Sequence, residues 1–152
     1  DLARSATTYG CTDYFVVHPV AVQRELVTRI VDHWTHGSSG KRIPDRKDAL
    51  AVVRAAERLE DVIEKLSADG PVTTWVTAAR SLDRSMTFAD ARAALAADGG
   101  PVLLVFGTGW GLAESITARA DAVLEPIRGA GAFNHLSVRA ACAIALDRLR
   151  AP

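Results

Sequence analysis

No stretch of this chain is apolar for long enough to cross a bilayer, and no low-complexity tract or internal repeat interrupts it. The expectation is a chain without membrane contact. Cysteine is nearly absent. Cys11 and Cys142 stand alone in apolar surroundings, with no CxxC pair and no histidine at ligand spacing. That excludes a zinc ribbon or a disulfide framework and points to free thiols in a reducing, cytoplasmic setting with no bound metal. Net charge is missing too: 18 basic side chains balance 18 acidic ones. No global field therefore draws the chain to nucleic acid or to a membrane, and any RNA site must be a local patch. Lysine is scarce, three residues against 15 arginines. The planar arginine fork suits phosphate, but GC-rich coding leaves the same bias.

What is present describes one globular domain with a real core: 152 residues, 49% hydrophobic and 24% charged. DLARSATTY has helical character, and Gly10 stands where a helix cap belongs. Tyr14–Val17 reads as a short strand ending at His18-Pro19. Val20 to Trp34 places Val22, Leu26, Val27, Ile30 and Val31 at helical spacing, which predicts one buried stripe. His33, Trp34 and His36 cluster at its end without a third ligand type, so helix-end packing is expected rather than a metal site. GSSGKRIPDR, residues 37 to 46, reads as a mobile, basic loop. Ala49 to Ala56 supplies a strand and Leu59 to Leu66 an amphipathic helix broken at Asp69-Gly70-Pro71. Val72–Thr77 is the next strand. Thr87 to Ala97 is a helix capped by Ser85 or Thr87, and further helices cover Ala113 to Ala120 and Val138 to Leu149. Strand and helix alternate about five times, which makes the fold class α/β with a parallel sheet.

The stretch that organises the rest is PVLLVFGTGWGL, residues 101 to 112. Val102 to Phe106 is an apolar run of strand length without polar alternation, the mark of a strand buried on both faces in the middle of a parallel sheet. Gly107, Gly109 and Gly111 then end it, giving a loop whose main chain can turn sharply and approach a ligand closely. The dinucleotide fingerprint needs a further glycine three residues after its second, at 112 or 114, and a phosphate loop needs Gly-Lys-Ser/Thr, whereas Leu112, Ala113 and Glu114 follow. Both are excluded. A glycine turn that merely leads into a helix stays open for this loop taken alone.

The loop has a companion. Leu124 to Ile127 is a second short apolar strand end, followed by Gly129 and Gly131 and then by Asn134-His135-Leu136-Ser137 opening an alanine-rich helix. FGTGWGL, LEPIRG and NHLSVRAACAIAL in this order resemble the two C-terminal motifs of the SPOUT superfamily of RNA methyltransferases. Arg4-Ser5-Ala6 and Tyr9-Gly10 resemble the end of that superfamily's first motif as the SpoU-type ribose methyltransferases carry it. The asparagine of that motif would precede Asp1, so a first strand and loop are expected upstream. The resemblance implies a parallel sheet with helices on both faces, a C-terminal trefoil knot, a homodimer, S-adenosylmethionine as cofactor and RNA, tRNA or rRNA, as substrate.

It also nominates residues. Thr77 and Ala78, Gly107, Thr108, Gly109, Gly111 and Leu112, Ile127 and Gly129, and His135 and Leu136 would surround the cofactor. Arg4, Asn134 and Ser137 would serve the chemistry, Arg4 by stabilising a developing oxyanion, because a guanidinium stays charged and makes a poor base. Read from charge and position, and not from the resemblance, Lys41, Arg42, Arg46, Arg80 and Arg84 would meet RNA phosphates; ordinary surface charge is the other reading of all five. Trp110 would cover the cofactor, a target base or a dimer interface. Departures from the SpoU-type pattern stand out. The second motif lacks its glutamate, where Thr108-Gly109-Trp110 appears instead, Ser137 takes the place of the third-motif asparagine, and Arg139 stands where a small residue is common. They leave ribose 2′-O and guanine-N1 methylation both open. A catalytically silent relative that docks RNA or dimerises is the competing expectation.

Overall fold

The computed structural model describes residues 1–82, 85–97 and 99–152. The chain divides into two compact units, residues 1–65 and 66–152. Every ladder in either unit is parallel, as the alternation of strands and helices predicts.

In the first unit α1 (Leu2–Thr8) ends in a left-handed turn at Gly10, φ 73°. The Gly10 amide donates to the Thr7 carbonyl at 3.1 Å and the Cys11 amide to that of Ala6 at 2.9 Å. This pair of bonds closes the helix and needs the positive φ that glycine adopts without strain. β1 (Tyr14–Val17) pairs with β2 (Val53–Ala56), Tyr14 opposite Val53 and Val17 opposite Ala56. Between them run α2 (Ala21–Thr35), α3 (Ser38–Arg42) and α4 (Pro44–Ala51), and α5 (Leu59–Leu66) follows. α1 packs on α4, with Ala3, Ala6 and Ala49 buried; small side chains let helix backbones approach.

Three expectations for this unit need correction. The basic segment 37–46 is not a mobile loop but α3 and the first turn of α4. A Cβ on Gly37 would lie 2.3 Å from the His33 carbonyl oxygen, and one on Gly40 2.2 Å from that of Trp34. The glycines thus serve close packing against the end of α2, and Pro44 at the start of α4 has its φ already set for a helix. Residues 49–52, expected in a strand, belong to the end of α4 and the turn after it, so β2 is half as long as predicted. The α2 stripe is divided: Val27 and Val31 are half-buried, whereas Val22, Leu26 and Ile30 form an exposed row. Trp34 is packed as expected, edge-on to His33 at 5.6 Å and with the Arg46 guanidinium 4.6 Å from its ring centre.

The second unit carries a four-stranded sheet in the order β4-β6-β3-β5, formed by β3 (Thr73–Thr77), β4 (Ser85–Met86), β5 (Val102–Val105) and β6 (Ala122–Leu124). The two-residue β4 is too short to carry a periodic signal, and no strand was expected there. The central run was expected to be β5. It is instead β3, with Trp75 and Val76 buried, while β5 lies at an edge of this sheet with all four residues half-buried. An edge strand that still lies under helices reads in sequence as fully apolar, which is why composition misplaced the centre.

α6 (Phe88–Ala96) and α8 (Val138–Arg150) pack on each other, and α7 (Glu114–Arg119) joins β5 to β6. Trp75, Phe88, Ala91, Leu124, Ala145 and Leu149 form the core, with Ala91, Leu124 and Ala145 fully enclosed. Thr87 caps α6 by accepting from the Asp90 amide at 3.0 Å, and Ser137 caps α8 by accepting from that of Ala140 at 3.3 Å.

The amino-terminal end of β3 is fastened to the start of β6. The Asp121 carboxylate accepts from the Thr74 amide at 2.6 Å and from the Thr74 hydroxyl at 2.7 Å, and the Asp121 amide donates to the Thr74 carbonyl at 2.9 Å. The Thr74 bonds hold the Asp121 carboxyl below its ordinary 3.8, against a smaller opposing effect of burial. A depressed folded-state value gives stability that is complete above 3.8 and is lost as pH falls through the lower, folded value. Asp121→Ala is expected to lower unfolding free energy by about 1 kcal/mol at neutral pH, and the gap to wild type should close below pH 3.8. Urea denaturation at pH 7 and pH 3 measures both.

Candidate functional site

The sheet order creates the site. From β3 the chain runs to the short β4 at one edge, crosses to β5 at the other edge, and returns to β6 between β4 and β3. Such a reversal leaves a crevice beyond the carboxyl ends of the strands, the place where open parallel sheets bind ligands. The register levels the three tips. Val76 pairs with Val105 and Thr77 with Leu124, so the segments starting at Ala78, Phe106 and Glu125 leave the sheet together.

Side chains then tie these segments. The Thr77 hydroxyl donates to the Val105 carbonyl at 3.2 Å, joining the first tip to the second. Asn134 bridges the first to the third: its Nδ2 donates to the Ala79 carbonyl at 3.2 Å, and its Oδ1 accepts from the Gly129 amide at 3.3 Å. Arg128 adds a 2.6 Å bond from Nη2 to Ser81 Oγ. Glu125 fastens the outer side, its amide donating to the Met86 carbonyl at 2.8 Å and its Oε1 accepting from the Phe88 amide at 2.7 Å.

The glycine loop is folded on itself. The Gly111 amide donates to the Thr108 carbonyl at 3.1 Å, and a Cβ on Gly107 would strike the Gly111 carbonyl carbon at 2.4 Å. Gly109 (φ 57°) and Gly111 (φ 91°) adopt left-handed conformations, and nothing lies within 4 Å of where their Cβ atoms would be. The main chain there is bare on its outer side. Leu112 and Ile127 are half-buried, while His135 and Leu136 are exposed and His135 lies 5.3 Å from the Phe133 ring.

The second unit therefore brings together Thr77, Ala78, Gly107, Thr108, Gly109, Gly111, Leu112, Ile127, Gly129, Asn134, His135, Leu136 and Ser137 on the strand-tip segments and the opening of α8. Arg80 is exposed on the first of these segments. Arg84 lies outside the described residues. Arg4 is exposed on α1, and Lys41, Arg42 and Arg46 are exposed on α3 and α4, all in the first unit. The fastening roles of Asn134, Ser81, Glu125 and Arg128 were missed. Only the resemblance had drawn attention to Asn134, and nothing in local spacing ties Arg128 to a serine 47 positions earlier.

A surface of glycine main chain and aliphatic side chains with few charges suits a nucleoside-containing ligand held through its edges. S-adenosylmethionine fits it on that observation: Gly109 and Gly111 leave room for close contact, and Ile127 and Leu136 offer apolar surface. Among the described residues no group of three His, Cys, Asp or Glu could hold a metal, and no helix is long and apolar enough to cross a membrane. An open groove elsewhere, in the first unit, is lined by Arg24, Thr28, Arg29 and Glu57 among others. Its Arg24 is engaged by the His18 and Pro19 carbonyls and by Glu57.

Comparison with known proteins returned consistent findings. A family model described as SAM-dependent RNA methyltransferase matches residues 1–151, running across both units. A tRNA (guanine-N(1)-)-methyltransferase of Nitratidesulfovibrio vulgaris is 40% identical over 150 residues, covering 98% of this chain and 35% of that protein. An uncharacterized protein of Aquifex aeolicus is 36% identical, covering 98% of this chain and 74% of its own length. This chain thus spans about a third of the curated methyltransferase and three quarters of the Aquifex protein. Among solved structures, a probable methyltransferase from Bordetella pertussis superposes with a TM-score of 0.68 at 19% identity, covering 98% of this chain and 84% of that one. The TrmH/SpoU tRNA modifying enzyme of Aquifex aeolicus gives 0.60 at 16% identity, covering 98% and 65%.

The Asn134 bridge is open to a direct check. Asn134→Ala should free the Gly129 amide and the Ala79 carbonyl, and hydrogen exchange at Gly129 should quicken while exchange in β3 stays slow. Equal protection in the variant would show that the bridge does not hold these segments.

Proposed function

This chain belongs to the SAM-dependent RNA methyltransferases and has the fold of their SpoU-type members, and from that premise we propose that it binds S-adenosylmethionine at the three strand tips and transfers the methyl group to RNA. The observation that carries the reading is the level, cross-tied set of tips around a glycine loop whose outer side is bare.

S-adenosylmethionine supplies a methyl group on a sulfonium sulfur. The chain has to hold that donor in line with the nucleophile and to manage the proton or charge the nucleophile leaves behind. Amides and carbonyls of Gly107, Thr108, Gly109, Gly111 and Leu112 would hold adenine and ribose, with Ile127, Gly129, His135 and Leu136 on the facing segment and Thr77 and Ala78 between. Asn134 has one N–H and one lone pair outside the bonds described, and Ser137 has its O–H. Both would meet the substrate or the methionine end. Arg4 is assigned, on the resemblance, to neutralise charge developing on the nucleophile.

The substrate is tRNA or rRNA, modified at a ribose 2′-hydroxyl or at guanine N1. The second choice is supported by the name of the 40% identical relative, of which this chain matches only a part. Lys41, Arg42 and Arg80 offer phosphate contacts, while Arg46 is occupied over Trp34. The proposal extends to one methyltransferase domain acting as a cytoplasmic homodimer with a trefoil knot. The single family match across both units and the exposed row Val22, Leu26 and Ile30 support parts of that extension.

Calorimetry with S-adenosylmethionine and with NAD tests the cofactor: micromolar binding of the first and none of the second is expected. Gly107→Ala should abolish binding, because the added methyl has no room against Gly111. Transfer of labelled methyl to bulk tRNA or rRNA, with mass spectrometry of the nucleosides, identifies the atom. Binding without any transfer would leave the silent RNA-docking reading in its place. Arg4→Ala should lower kcat by roughly 100-fold or more, and full activity would remove Arg4 from the reaction.

A further inference from the structure

We propose that Trp110 is a stacking platform for an unpaired base of the RNA, with Phe133, on the segment beyond β6, in the role of a second platform and Arg80 and Arg128 as phosphate contacts. The inference rests on the RNA-methyltransferase reading and adds the form of RNA that the site accepts.

Among the described residues of the second unit the large apolar side chains left exposed are Trp110, Phe133 and Leu136, and all three stand on the segments beyond β5 and β6. Trp110 is the extreme case, fully exposed in the turn of the glycine loop. It sits between two left-handed glycines with nothing within 4 Å of either Cβ position, so both flanks of the loop are clear. Exposing an indole costs roughly the burial of 150–250 Å² of surface that a partner would recover. Phe133 is 80% exposed and touches His135.

Charge says which partner. The flanking segments bring Arg80, exposed, and Arg128, exposed and bonded through one nitrogen to Ser81, which leaves further N–H donors outside that bond. Glu125 on the same edge is turned to the Phe88 amide. Bare aromatic rings and arginines on the strand-tip segments of one sheet offer what single-stranded nucleic acid uses, rings for its bases and guanidinium groups for its phosphates. A duplex keeps its bases stacked inside and gives Trp110 nothing to hold.

Binding of a ten-nucleotide oligoadenylate and of a blunt RNA duplex of equal length, each measured with S-adenosylmethionine present, tests this. The single strand is expected to bind more tightly to wild type. Trp110→Ala should weaken it by about 5- to 150-fold, Trp110→Phe by much less, and neither should change binding of the duplex or of S-adenosylmethionine. The side chain is outside the core, so an unchanged urea midpoint certifies the fold. Unaltered oligonucleotide binding in Trp110→Ala overturns the proposal, as does failure of wild type to prefer the single strand. Loss of S-adenosylmethionine binding instead would place the indole over the cofactor, and a smaller sedimenting species would place it between copies. Either result overturns stacking. A wild-type protein that binds no S-adenosylmethionine defeats the methyltransferase reading itself, a separate outcome.

Discussion

Parallel pairing of β3 on both its edges is the constraint on which the second unit depends. Parallel ladders space their hydrogen bonds evenly, so neighbouring strands held in register end at the same height. Asp121 fastens one end of the arrangement to Thr74, and Thr77 and Asn134 fasten the other. Between the fastenings Trp75, Val76 and Leu124 are buried. The outcome is a rigid base under three segments that are themselves mostly main chain, and positional precision comes from the sheet while close approach comes from the glycines.

That division of labour suits a chain with no net charge. A ligand recognised by amides, carbonyls and aliphatic surface needs no electrostatic funnel, and the polar side chains near the tips mostly bind protein. Glu125 holds the start of α6, Ser137 the start of α8, and Asn134 two backbone groups. Alanine-rich packing of α6 on α8, with Ala91 and Ala145 fully enclosed, brings the second of these helices close. The opening of α8 and the segment before it inherit their position from that contact.

Much of this was legible beforehand. Tyr14–Val17, Leu59–Leu66, the Thr87 cap and the Gly10 helix end are local matters, decided within four or five residues by propensity and hydrogen bonding, and they appear as expected. The misreadings share a cause. Gly37 and Gly40 looked like flexibility because their reason, carbonyls at the end of α2, lies in packing. Val22, Leu26 and Ile30 looked buried because a helical period shows that a face exists, not that anything covers it. β5 looked central because an apolar run measures burial and not the order of strands.

The amino-acid order by itself determined the α/β class, the two glycine segments after apolar strands and, through their motifs, the family. Each depends on chemistry written in consecutive residues: period, turn residues and small side chains. Only tertiary structure decided that the segments stand level on either side of β3, that Asn134 and Arg128 tie them, and that Trp110 points into open space. Those facts join residues tens of positions apart, such as Thr74 to Asp121 and Ala79 to Asn134. Separation in sequence carries no distance until the sheet has closed.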